Sequence, residues 1–242
     1  SAIAGRLRAR GNIRSSAEVI EASRLARALA AMNEGSHAPA LRDLLGVPTV
    51  SLLPAARSPL KLESTADSHR LAMLQLAITD YSALTIDDRE LRRPPPSYTV
   101  DTLLELRAEI GADAPLVWVM GADTLTGLSQ WKNWQSLVDL AHLLVVERPD
   151  TTWPIEGVVA DWLRHLPSEA SVDQLQCSPK GKLVRLALPP QPFSSTAIRA
   201  TMHQRGMNST KPDGLPDSVW RYILQHDLYL SGALPDTGHE AL

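Results

Sequence analysis

Leu116-Val117-Trp118-Val119-Met120-Gly121-Ala122-Asp123 is an unbroken apolar run that ends in a glycine and a carboxylate. A strand covered on both faces reads this way, because helices on either side of a parallel sheet leave no solvent face to demand polar alternation. Glycine followed by a carboxylate at the end of such a strand is a common arrangement at the ligand-binding edge of open α/β sheets. The rival reading of Asp123 is a plain loop or cap residue.

Working outward, short β-prone segments recur at Thr49–Leu53, Leu84–Ile86, Leu143–Val146 and Leu183–Leu188. Helical patterns lie between and around them. One is expected from Ser15, where Ser15 and Glu18 have capping-box spacing and Ile20, Leu25 and Leu29 share an apolar face. Another is capped by Asp67 and carries Leu71, Leu74 and Ile78. A third starts at Ser97 or Thr99 and carries Val100, Leu103, Leu104 and Ile110, after an extended Arg92–Tyr98 whose prolines hold their predecessors away from helical angles. The last begins with Pro216 in its first turn, runs through Trp220, Ile223 and Leu224, and ends near His226.

Alternating strands and helices imply an α/β fold: a mainly parallel sheet with helices on both faces and a small C-terminal helical part. The expected organisation is a single domain over residues 1–242. Within it, 1–12 is an irregular basic start, 150–180 an insertion over the sheet, and 194–230 a C-terminal segment. A formal charge of −3 over 242 residues argues against a duplex nucleic-acid partner. The single cysteine, Cys177, excludes an internal disulfide framework and fits a reducing compartment. No apolar run approaches the ~20 residues that span a bilayer, so the expectation is a soluble cytoplasmic protein with no membrane partner. His69, His142 and His226 lack ligand spacing, and no metal site is expected from them.

Ligands of such sheets sit beyond the carboxyl ends of the strands, where three polar groups should converge: Gly121 with Asp123, Arg148, and Ser194-Ser195-Thr196-Ala197-Ile198-Arg199. The last reads as a hydroxyl-rich turn opening a helix, with a forked cation one turn inside. Free N–H groups, the dipole end and Arg199 together suit a phosphate. The plainer reading is an ordinary N-cap with a surface arginine. Trp131 can be a core or lid aromatic, Tyr98 and Thr99 simply a helix start, and Arg148 the partner of a surface carboxylate.

Five segments in order resemble the bacterial nicotinate-nucleotide adenylyltransferases of the nucleotidyltransferase α/β phosphodiesterase superfamily. They are Pro96–Leu103, Met120–Asp123 with Trp131 and Trp134, Val146–Pro149, Ser194–Arg199, and Leu215–Tyr229. The resemblance implies a Rossmann-like fold. It also implies transfer of AMP from ATP to nicotinate mononucleotide, giving deamido-NAD and pyrophosphate with Mg2+, a step of NAD biosynthesis. By matching positions it assigns Ser195, Thr196 and Arg199 to the ATP phosphates, with Thr196 and Arg199 as the catalytic pair. Gly121 and Asp123 would meet ribose and adenylate, and Tyr98 and Thr99 would border the nicotinate nucleotide. Trp131 would stack on its ring, and Arg148 would lie near it.

The chain departs from that family at its start. The glycine-rich G-G-x-F-D-P-x-H-x-G-H turn is absent, and the nearest alignment puts Gly11-Asn12-Ile13-Arg14 there, with Ala9 and Asn12 at the histidine positions. Loss of one such donor to the developing pyrophosphate charge costs about 3 kcal/mol of transition-state stabilisation. Three explanations stand: Arg8, Arg10 or Lys61 act as substitutes, the first residues come from a faulty reading frame or start site, or the chain is a catalytically impaired homologue that acts as a nucleotide-binding regulatory protein.

Overall fold

The computed structural model describes residues 18–21, 43, 45–47, 49–55, 65–147, 153–169, 171–187, 198–199, 201–202 and 210–229. Among the described residues seven strands form one sheet: β1 (Glu18–Glu21), β2 (Val50–Leu53), β3 (Leu84–Ile86), β4 (Val117–Gly121), β5 (His142–Glu147), β6 (Ser168–Glu169) and β7 (Leu183–Ala187). Their spatial order is β3-β2-β1-β4-β5-β7-β6, and every pair is parallel. The fold is Rossmann-like α/β, with the strand order reversing between β1 and β4.

Parallel neighbours need crossovers, and these are α1 (Asp67–Ala77), the single turn α2 (Arg89–Arg92), α3 (Thr99–Ile110), α4 (Val158–His165) and runs of 3-10 turns over Ala122–Gln130, Trp134–Asp139 and Val172–Cys177. A final helix, α5 (Asp217–Gln225), packs against α1. Period-two alternation divides the central strands between two cores. Val117, Val119, Leu144 and Val146 face the side covered by Met73 and Leu74 of α1 and Val219 and Ile223 of α5. Trp118, Met120, Leu143 and Val145 face Leu103 and Leu106 of α3 and Leu163 of α4. Trp118 is fully enclosed, and burial of side chains of this kind stabilises by roughly 1.5–3 kcal/mol each.

The first helix is a correction. Residues 18–21 form the central strand β1, paired Glu18 to Val50 on one side and Val19 to Trp118 on the other. Sheet pairing on both edges overrides the capping-box signal at Ser15 and Glu18. Residues 1–12 and 22–40 lie outside the described residues. Three caps also differ. Ala66 is the N-cap of α1, with no side-chain cap, and Asp67 turns instead to Arg70 at 2.6 Å. Tyr98 is the N-cap of α3, while Ser97 Oγ accepts from Arg93 at 2.7 Å. Pro216 is the N-cap of α5 rather than a residue of its first turn. In the stretch 150–180, α4 and a 3-10 run flank β6, which extends the sheet as an edge strand beside β7.

The amino-terminal ends of the strands are tied by two side chains. Arg107, near the end of α3, donates to the carbonyls of Leu140, Gly111, Ala114 and Pro179. Gly111 ends that helix with φ +86°, a conformation that a Cβ disfavours. His142 is buried; its Nε2 donates to the Ser178 carbonyl at 2.7 Å and its Nδ1 accepts from the Lys182 amide at 3.1 Å. That pairing defines a neutral imidazole, and burial, aided by nearby Lys182 and Arg107, pushes its pKa down from 6.5.

Arg107→Met should lower stability by about 2–3 kcal/mol through orphaned carbonyls, seen as a fall in Tm of roughly 5–10 °C by calorimetry. As pH falls below 6.5, the unfolded chain takes up the His142 proton before the folded one does. Stability from this group is therefore complete above that pH and declines on acidification. Urea midpoints measured from about pH 7.5 to about pH 5.5 should fall, with a shallower slope in His142→Gln.

Candidate active site

The carboxyl ends of the strands form the opposite edge, and the strand order reverses there between β1 and β4, the point at which open α/β sheets form a ligand crevice. At the end of β4, Gly121 has extended backbone angles (φ −77°, ψ 147°) and leads directly into the Ala122–Gln130 turns. A Cβ on Gly121 would lie 2.4 Å from Oδ1 of Asp123, so the glycine is what allows that carboxylate to fold back over the strand end. Asp123 stands in the first turn of the run, where the free N–H groups favour a negative charge, and Thr126 Oγ1 donates to its carbonyl at 3.0 Å.

The next wall comes from α3. Tyr98 is its N-cap and Thr99 its first residue, both half-buried. The preceding loop is held from beneath: Arg93 donates to Ser97 Oγ and to Thr102 Oγ1, Thr102 donates to buried Glu90 at 2.6 Å, and Arg93 pairs with Glu105 at 2.7 Å. Arg89 adds a two-pronged bond to Glu109, both contacts at 2.9 Å, which holds the Glu109 carboxyl below its usual range. Trp131 closes the 3-10 run by donating its amide to Leu128 and lies half-buried against the core beneath α3. Its successor Lys132 reaches Asp101 of α3 at 3.0 Å and stands 4.9 Å from the Tyr98 ring centroid. Lys132 thus links the start of α3 to the segment of Trp131, and Tyr98 and Trp131 pack against the same core.

A third group lies where α1 and α5 meet the sheet. Buried Arg70 donates to the Ala55 carbonyl just past β2 and to Asp67, leaving its Nε without a hydrogen-bond partner. Arg199 is exposed, next to buried Ile198. Tyr229 senses both cations: burial raises its phenol pKa above 10, while a Thr65 hydrogen bond and the charges of Arg199 and Arg70 oppose that shift. Beside it, His69 Nδ1 lies 2.9 Å from the Tyr222 hydroxyl and its ring 5.0 Å from His226.

Of the expected site residues, Gly121, Asp123, Tyr98, Thr99, Trp131 and Arg199 are described, whereas Ser195, Thr196 and Arg148 lie outside the described residues. Lys132 and Arg70 carried no expectation, and Tyr229 entered only as the end of a matched segment. A lysine held between Trp131 and Trp134, and the i,i+3 spacing of Asp67 and Arg70, were the available signals.

Residues 42–201 match the family described as cytidylyltransferase-like. A probable nicotinate-nucleotide adenylyltransferase of Hahella chejuensis is 44% identical over 161 residues, 66% of this chain and 72% of that one. One from Cellvibrio japonicus is also 44% identical, over 177 residues, covering 73% and 80%. The fold is similar to the nicotinic acid mononucleotide adenylyltransferase of Plasmodium falciparum complexed with NaAD, with a TM-score of 0.62 at 14% identity over 88% of this chain and 96% of that chain.

Gly121→Ala should push Asp123 off the strand end and weaken ATP binding about tenfold, while Tm moves by only a few degrees; titration calorimetry beside a thermal melt measures both.

Proposed function

This chain belongs to the cytidylyltransferase-like family and, within it, to the nicotinate-nucleotide adenylyltransferases; from that premise we propose that it transfers AMP from ATP to nicotinate mononucleotide. A phosphate oxygen of the mononucleotide attacks the α-phosphorus of ATP, the bond from that phosphorus to the bridging oxygen breaks, and pyrophosphate leaves. Deamido-NAD is the other product, which makes the reaction a step of NAD biosynthesis, here assigned to the cytoplasm. No covalent enzyme intermediate is involved, so the protein's work is alignment and neutralisation of charge.

The observation that carries this reading is the strand end at the reversal point, where Gly121 and Asp123 border the crevice beside β1. In our assignment they meet the adenylate ribose, with Asp123 accepting from its hydroxyls. Tyr98 and Thr99 border the nicotinate nucleotide, whose ring stacks on Trp131, and Arg148 lies near that nucleotide. Ser195, Thr196 and Arg199 hold the ATP phosphates. The exposure of Arg199, whose charge reaches Tyr229, supports this, since a solvent-facing guanidinium suits a polyphosphate.

Among the described residues, no group of three or more His, Cys, Asp or Glu side chains is placed to hold a metal ion. Mg2+ carried on the ATP phosphates, that ion's usual manner of binding, suits this reading, with Asp123 among the described carboxylates at this edge. When bound, it supplies neutralisation of the pyrophosphate charge. Among the described residues no helix is long and apolar enough to cross a membrane.

Purified chain supplied with ATP, Mg2+ and nicotinate mononucleotide should release pyrophosphate and deamido-NAD in equal amounts. Arg199→Ala should lower kcat/KM on the order of a hundredfold, as expected for loss of one charge-stabilising donor. Retention of ATP binding with no deamido-NAD formed by the unaltered chain would sink this reading and leave a nucleotide-binding regulatory homologue.

A further inference from the structure

Lys132 joins two walls that come from different crossovers. Its Nζ lies 3.0 Å from both carboxylate oxygens of Asp101 and 4.9 Å from the centroid of the Tyr98 ring. Asp101 is in the first turn of α3, two residues after Thr99, where the helix dipole favours its charge. Lys132 itself follows Trp131 directly. The next residue, Asn133, has left-handed angles (φ 48°, ψ 40°) that swing the chain into the turns beginning at Trp134. One side chain therefore spans from the segment after β4 to the helix after β3.

We propose that Lys132 is a positioning residue: its ammonium clasps the first turn of α3 to the Trp131 segment and so sets the width of the slot for the nicotinate nucleotide. The inference rests on the reaction assigned above. The ammonium's charge is already balanced by Asp101 and its face is spent on Tyr98, which suits a brace better than a direct anion ligand. The pair is partly solvated, with side-chain exposures of 44% and 33%. An ion pair of that kind adds little to global stability because water screens it and ordering two side chains costs entropy. Its effect is local, on the spacing of Tyr98 and Thr99 from Trp131, and it acts on one substrate only.

The experiment compares Lys132→Met, Asp101→Asn, the double variant and Lys132→Arg. Either single neutralisation should raise KM for nicotinate mononucleotide about three- to tenfold, leaving KM for ATP and Tm unchanged. The double variant should be no worse than either single one, since one interaction cannot be lost twice. Lys132→Arg should restore the KM, as a guanidinium can keep both the ion pair and the ring contact. Amide exchange, which needs no turnover, should quicken over 99–102 and 131–134 in Lys132→Met, with β4 and β5 unchanged. Unchanged KM for the mononucleotide, or equal rises for both substrates with a falling Tm, overturns the proposal. If the unaltered chain makes no deamido-NAD, the reaction assignment fails separately, and unchanged amide exchange is then the result that removes the clasp.

Discussion

All the described strands point the same way, and most of the structure follows from that constraint. A parallel neighbour cannot be reached by a tight hairpin, so the described connections from β2 to β7 are crossovers that lie on one face or the other. Both faces are then covered, which is why Val117 to Met120 and Leu143 to Val146 are apolar at every position and feed two cores alternately. The same constraint collects all strand starts at one edge and all strand ends at the other. At the starting edge, backbone carbonyls need partners, and Arg107 and His142 provide them. At the finishing edge the chain keeps its charge: Asp123 over Gly121, Arg70 beneath the Ala55 carbonyl, exposed Arg199, and Lys132 on Asp101.

Strands with both faces buried were legible because burial on two sides leaves a compositional mark. Leu84–Ile86 coincides with β3, and the other central strands are displaced by a residue or so. β1 was not legible. Four residues are too few for alternation to assert itself against the alanine-rich neighbours and the spacing of Ser15 and Glu18, and only pairing with β2 and β4 decides their conformation. β6 has two residues and exists only because β7 offers an edge. The starts of α1, α3 and α5 were placed to within a residue, but the capping side chains were not: Asp67 and Ser97 have arginine partners nearby that compete for their oxygens.

The candidate site divides along the same line. Gly121 and Asp123 were readable because their relation is local: a glycine two residues before a carboxylate, both at a strand end. Tyr98 and Thr99 beside Trp131 were grouped by resemblance alone, and the physical link between them, a lysine over a tyrosine ring, spans 34 residues of sequence. Arg70 was hidden for a related reason. Its place depends on a carbonyl just past β2, which leaves no mark in its own helix.

The concentration of carbonyl partners on Arg107 has a further meaning for how such a chain can vary. The side chain that secures the crossovers lies at the rim away from the crevice, while the charges suited to nucleotides lie at the other. Sequence drift near Arg107 is felt in how many copies are folded at a given moment. Drift around Gly121 or Lys132 is felt in what each folded copy does. Abundance and performance can therefore be adjusted by selection almost independently, one rim at a time.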